Sequence, residues 1–255
     1  MTSTIPIDAR YWTTLIVASV LGTNTGDYAA EVLGLGHLTG LPWLAGLLAL
    51  VFVAQRITRS TSLLFFWAAI IVIRTAATNV GDVFLDHHIP FGLSVPLTLA
   101  TFAVLVGFYA RTAGGTVVVN LLYWATMIVA GVLGTVGGDA VSFGLGLFVT
   151  GTAVVFGALA LAAIIALGRR GLWTAPLAYW SILALVRTAG TSGGDTLSWM
   201  LGMLFRVLGF GRADGPSYVV GIAPATFLSG AAFLALLWRF YVVSVRTQIS
   251  TVGRS

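Results

Sequence analysis

The side chains able to do chemistry in this chain are few, and they recur at fixed spacing. Asp27, Asp82, Asp139 and Asp195 stand 55, 57 and 56 residues apart. Each directly follows a glycine, Gly26, Gly81, Gly138 or Gly194, and lies four residues after a threonine, Thr23, Thr78, Thr135 or Thr191. Each also lies fifteen residues after a tryptophan, Trp12, Trp67, Trp124 or Trp180. Matches at the same offsets in four segments mark an internal repeat. A second symmetry is nested inside it. Arg74 and Arg187 stand eight residues before Asp82 and Asp195, and the other two copies lack them. Copies one and two add Glu31 and Asp86 four residues after the motif aspartate, where copies three and four have Phe143 and Trp199. His87 and His88 follow Asp86.

Carboxylates with neighbouring imidazoles suit proton relays, or hard and borderline divalent cations such as Mn²⁺. The expected cation-binding set is therefore Asp27, Glu31, Asp82, Asp86, Asp139 and Asp195, with Thr23, Thr78, Thr135 and Thr191. For a metal, the expected ligands are Asp27, Glu31, Asp82, Asp86 and His87. Acids at i and i+4 on one helical face repel unless something positive lies between them, which favours the first half of the chain as the ligand-holding half. Arg74 and Arg187 are expected as charge partners of aspartates in other copies. No catalytic residue is expected, and no cofactor beyond a bound divalent cation.

The elements that must position these groups are helices in lipid. The chain has 255 residues, 58% hydrophobic and 8% charged, with mean hydropathy +0.99. Soluble domains carry roughly 25% charged residues, so the surrounding solvent is a bilayer. The basic residues, all arginine, fall singly or in pairs between apolar runs, as topology-setting charges do, and nucleic acid is not an expected partner. The absence of Cys excludes disulfides and thiolate sites. The apolar run 11–21 is not a signal peptide, because it recurs inside the chain.

Each copy of about 56 residues holds two membrane helices. The spacing predicts first helices near 11–35, 63–86, 117–142 and 175–204, and second helices near 40–55, 91–110, 144–167 and 217–243. The fold class is thus all-α integral membrane, with eight spans in four tandem repeats at 10–59, 60–113, 114–172 and 173–246. Pseudo-symmetry is expected along the membrane normal. Arg10, Arg56, Arg59, Arg111, Arg169, Arg170, Arg239, Arg246 and Arg254 lie before, between or after copies, whereas only Arg206 and Arg212 lie in a loop within one. That bias predicts a multi-pass inner-membrane protein with both termini cytoplasmic. At about 100° per residue, Trp, Arg, Thr and Asp share about a third of a helix circumference. The Asp stands roughly 22 Å along the helix from its Trp, toward the outer leaflet.

The Trp-bearing copies and Gly-Asp pairs resemble a bacterial integral membrane family of unknown function, built of four tandem repeats with two membrane helices and a Trp each. The resemblance covers about residues 10–245. It implies the architecture and brings no activity.

Simpler roles suit several of these residues. The tryptophans suit anchoring at a membrane interface. The glycines one residue before each Asp, with Gly22, Ala77, Gly134 and Gly190 five before, form a small-residue stripe for close helix packing. The threonines suit interhelical or backbone hydrogen bonds, and the three histidines suit simple exposure near the outer interface.

For function, buried acids in parallel repeats predict a transporter or exporter of a small cation, divalent or proton-coupled. An intramembrane aspartyl protease fits poorly. The position three before each Asp is Asn24, Asn79, Val136 or Ser192 rather than glycine, and four equivalent acids do not make a dyad. The chain is therefore not expected to be an enzyme. A membrane sensor, regulator or structural protein without transport is the alternative. The oligomeric state is not encoded in any motif.

Overall fold

The computed structural model describes residues 6–58, 63–210 and 217–252, with side chains to 239 in the last helix. Among these residues the chain is all-α, with eight α-helices and no strand. The helices are α1 (Ala9–Asp27), α2 (His37–Thr58), α3 (Leu63–Asp86), α4 (Phe91–Thr112), α5 (Leu121–Asp139), α6 (Phe148–Arg169), α7 (Pro176–Val207) and α8 (Ser217–Val252). Six of them, all but α1 and α7, are long and apolar enough to cross a membrane. The boundary expected at 59/60 lies outside the described residues, as do Arg59, Arg212 and Arg254. Only the backbone is described at Arg246.

Local sequence explains where the inner helices begin and end. Asp8 and Asn120 cap α1 and α5 by accepting hydrogen bonds from the Tyr11 and Tyr123 amides, at 3.0 and 2.8 Å. Pro176 opens α7, where its missing N–H costs nothing. α1 and α5 stop being α-helical at their motif aspartates and continue as single π-helical turns, Tyr28–Val32 and Ala140–Gly144. Past those turns, Gly34, Gly36 and Gly146 hold φ of 69°, 68° and 74°, which lets the chain reverse tightly. α3 and α7 run on through their aspartates without interruption. The unbroken first helix expected to reach 35 is therefore corrected: the turn widens after Asp27.

α1, α3, α5 and α7 form a closed ring, each touching the next and α7 returning to α1. The outer helices pack across copies: α2 lies on α3, α4 on α5, α6 on α7, and α8 on both α7 and α1. Each copy's second helix thus supports the next copy's first helix, and the copies interlock. The outward surface is apolar, as Leu38, Trp43, Leu50 and Ile57 of α2 and Leu93, Leu97 and Phe108 of α4 illustrate. An apolar surface this continuous requires lipid, so the chain is a multi-pass membrane protein.

The small residues explain how the ring closes. A Cβ on Gly26 would meet the Thr78 side chain, on Gly81 that of Thr135, on Gly138 that of Thr191, and on Gly194 that of Thr23. The glycine before each aspartate thus receives the motif threonine of the next copy, and the fourth returns to the first. Fixed offsets in the sequence are one contact made four times. Gly81→Ala is expected to lower thermal stability, because its Cβ would lie 2.6 Å from Thr135 Cβ, and overpacking of this kind costs about 1–3 kcal/mol. Gly137→Ala, with nothing within 4 Å of its added Cβ, should be neutral or stabilising through helix propensity. Melting temperatures of the two purified variants check this; equal losses would contradict it.

Candidate functional site

At the N-terminal ends of the inner helices the bundle is closed by eight aromatic rings. Each Trp meets its own preceding ring edge-on, with centroids 5.3, 5.3, 5.2 and 5.1 Å apart from α1 to α7. Each Trp also packs against the aromatic of the preceding copy: Trp67 on Tyr11, Trp124 on Phe66, Trp180 on Tyr123, and Trp12 on Tyr179. Such pairs add about 0.5–1.5 kcal/mol each beyond burial. The tyrosine hydroxyls satisfy one another, Tyr11 to Tyr179 at 2.5 Å and Tyr123 to Tyr179 at 2.8 Å. Trp12, Trp67 and Trp180 are at most 1% exposed. For Trp12, Trp67 and Trp180 the expectation of anchoring at a lipid interface is thereby corrected, while Trp124 is only partly buried. The three buried side chains turn inward because the cross-copy ring contacts are available there.

Above this plug sits Arg74, fully buried. Its Nη2 donates to Thr23 Oγ1 at 2.7 Å and Thr191 Oγ1 at 2.6 Å, and its Nη1 to Thr135 Oγ1 at 3.1 Å. One guanidinium from α3 therefore joins α1, α5 and α7. Arg187 is equally buried but differs: its Nη2 contacts Met127 Sδ at 3.1 Å, and its Nε and Nη1 have no partner among the described residues. It lies within electrostatic reach of Tyr11, Tyr179 and Tyr123, at the aromatic end. The two like charges repel each other, and the Arg74 guanidinium alone of the pair reaches the motif threonines among the described residues. The expected Arg–Asp pairs are corrected accordingly. No carboxylate lies within ion-pair distance of either guanidinium among the described residues, and threonine hydroxyls take that place. Arg74 still acts on Asp82, Asp195 and Asp27 over a longer range.

Beyond Arg74 the ring encloses a cavity of about 710 Å³ at the C-terminal ends of the inner helices. Asp27, Asp82, Asp139 and Asp195 all line it, with Thr23, Thr78 and Thr191. Thr135, which was expected with them, does not line it. Asp27 and Asp139 are each 5% exposed. Glu31, Asp86, Phe143 and Trp199, the residues four past each aspartate, also line the cavity and are all exposed, so they form its mouth.

Two residues join the site that the motifs did not single out. Tyr218, from the start of α8, donates to Asp27 Oδ2 at 2.6 Å, and its oxygen lies 3.3 Å from Asp195 Oδ1. His37, at the start of α2, lies 3.4 Å from Asp82 Oδ2 and 3.8 Å from Glu31 Oε1 without hydrogen-bond alignment. The expectation for His87 is corrected. Its Nδ1 turns to Val83 O of its own helix at 3.0 Å, and neither His87 nor His88 lines the cavity. Nor do three or more acids and imidazoles converge tightly enough to hold a metal among the described residues. Glu31 stands in the π turn that follows Asp27 and faces His37.

Tyr218 is the only side-chain tie described between α8 and the acid ring. Tyr218→Phe is expected to lower stability by about 1.5–3 kcal/mol, the worth of a hydrogen bond to a charged group. Thermal unfolding in detergent measures this, and an unchanged midpoint would count against the tie.

Residues 10–61 match the family described as Repeat of Unknown Function (DUF347). That match is consistent with a family of unknown function with internal repeats. No curated protein and no solved structure matches the chain.

Proposed function

We propose that this chain is a transporter or exporter of a small cation in a bacterial inner membrane. Its eight helices would cross the bilayer with both termini cytoplasmic, the copies being related about the membrane normal. The observation that carries the reading is that one acid from every copy lines a single cavity, closed at one end by Arg74 and the aromatic plug. α1 and α7 are less apolar than the other helices because their polar faces turn into the ring, which does not prevent them from spanning.

The acids supply the chemistry. Asp82 repels Asp27, Asp139 and Asp195 within one space, and buried like charges are costly unless a cation or protons neutralise them. A cation entering from the mouth is drawn down to the floor acids, and the fixed charge of Arg74 opposes its passage further. Movement across would require Arg74 and the plug to shift together, as inner helices rock against each other in repeat-built transporters.

The direct test is growth of a strain lacking the gene over a panel of metal salts, organic cations and pH. The expected result is a defect specific to one cation, rescued by the wild-type gene and not by Asp27→Asn or Asp139→Asn. Rescue by both variants would overturn the reading.

A further inference from the structure

The cavity has two unlike walls. Glu31, His37 and Asp86 stand on the side of the first two copies, and Phe143, Phe148 and Trp199 on the side of the last two. The three rings are 61%, 74% and 46% exposed, so their faces stand open where they line the cavity mouth. Phe148 also holds a left-handed backbone, φ 57°, which a residue with a side chain adopts at a cost and which tends to occur where function requires it. At depth, Asp139 is 5% exposed, and its Oδ2 has no hydrogen-bond partner among the described residues.

These features select among cations. A bare metal ion needs several oxygen or imidazole ligands converging at short range, and no such group forms among the described residues. The volume of about 710 Å³ falls instead in the range of roughly 300–1,000 Å³ typical of small organic ligands. A ligand that uses both walls carries a positive charge and an apolar body. Aromatic faces hold ammonium groups through the ring quadrupole as well as by area.

We infer that the cavity binds an organic ammonium cation, its charge against the buried carboxylates and its apolar body against Phe143, Phe148 and Trp199. This rests on the cation-transport reading above and names its substrate class. The acid wall admits the charge, and the aromatic wall discriminates among cations of equal charge.

The test is isothermal titration of the purified full chain in detergent with benzyltrimethylammonium, tetramethylammonium and Mn²⁺ chlorides. Benzyltrimethylammonium is expected to bind about tenfold more tightly than tetramethylammonium, the gain from contact of its ring with the aromatic wall. Trp199→Ala and Phe143→Ala, both at the exposed mouth and with no ring contact or side-chain hydrogen bond among the described residues, should shrink that gap several-fold. Asp139→Asn, checked for folding by size exclusion, should remove binding of both organic cations. Retention of the full gap in both mouth variants would overturn the inference. If Mn²⁺ alone binds and Asp139→Asn abolishes it, the organic-cation assignment fails while the cation-transport reading stands. If none of the three binds, both fail.

Discussion

Arg74→Ala is expected to cost about 3–5 kcal/mol of stability, from the cavity it leaves and the buried hydroxyls it orphans, whereas Arg187→Met should cost under about 1 kcal/mol or even stabilise. The two arginines occupy equivalent positions in the repeat, so sequence alone would rank them together. The structure separates them. Arg74 donates to threonines of α1, α5 and α7, and its removal leaves Thr23, Thr135 and Thr191 around an unfilled space at the centre of the ring. Arg187 reaches one thioether, and two of its nitrogens have no partner among the described residues. A methionine of similar length would fill the same space without a charge to desolvate. Thermal unfolding of both variants in detergent decides the matter. Equal destabilisation would mean that the asymmetry between the arginines does not govern stability.

The second large effect concerns the cavity floor. Asp139→Asn is expected to weaken cation binding by at least about 30-fold, the equivalent of about 2 kcal/mol for truncating one side of a buried charge pair. Glu31→Gln and Asp86→Asn should each change affinity by less than about fivefold, since exposed charges are screened by water and salt. The ranking differs from one based on charge count, which favours the first half of the chain. The expected ranking follows burial rather than the number of acids per copy. Equilibrium binding with a radiolabelled cation would check this, and a larger loss in Glu31→Gln than in Asp139→Asn would reverse the assignment.

Much of the architecture was legible because the repeat constrains it. The helix expected at 63–86 is Leu63–Asp86, and the four aspartates expected on one polar face line one cavity. Periodicity reports which residues share a face. It does not report what that face meets. Trp12, Trp67 and Trp180 illustrate this: their position at helix starts suits a lipid interface, yet the ring places other copies' aromatics within reach, and burial against those wins. Arg74 shows the same limit, since the charge rule points to carboxylates while the rotation of the ring presents threonines. The π turns were hidden because one extra residue per turn leaves no mark on composition, although the Gly-Leu-Gly at 34–36 and again at 144–146 signals an early helix end in both odd copies. Tyr218 and His37 begin outer helices that read as uniformly apolar, and no repeat offset marks them. Their pairing with Asp27 and Asp82 depends on how the outer helices cross between copies.

The most direct test of the cation-transport account is charge displacement in proteoliposomes adsorbed on a solid-supported membrane, with concentration jumps of Na⁺, Mn²⁺, tetramethylammonium and benzyltrimethylammonium. Wild-type protein should give a transient current with at least one of these cations, and Asp139→Asn protein reconstituted at equal density should give none. Currents of equal size in both proteins, or no current with any cation in the wild type, would contradict the account.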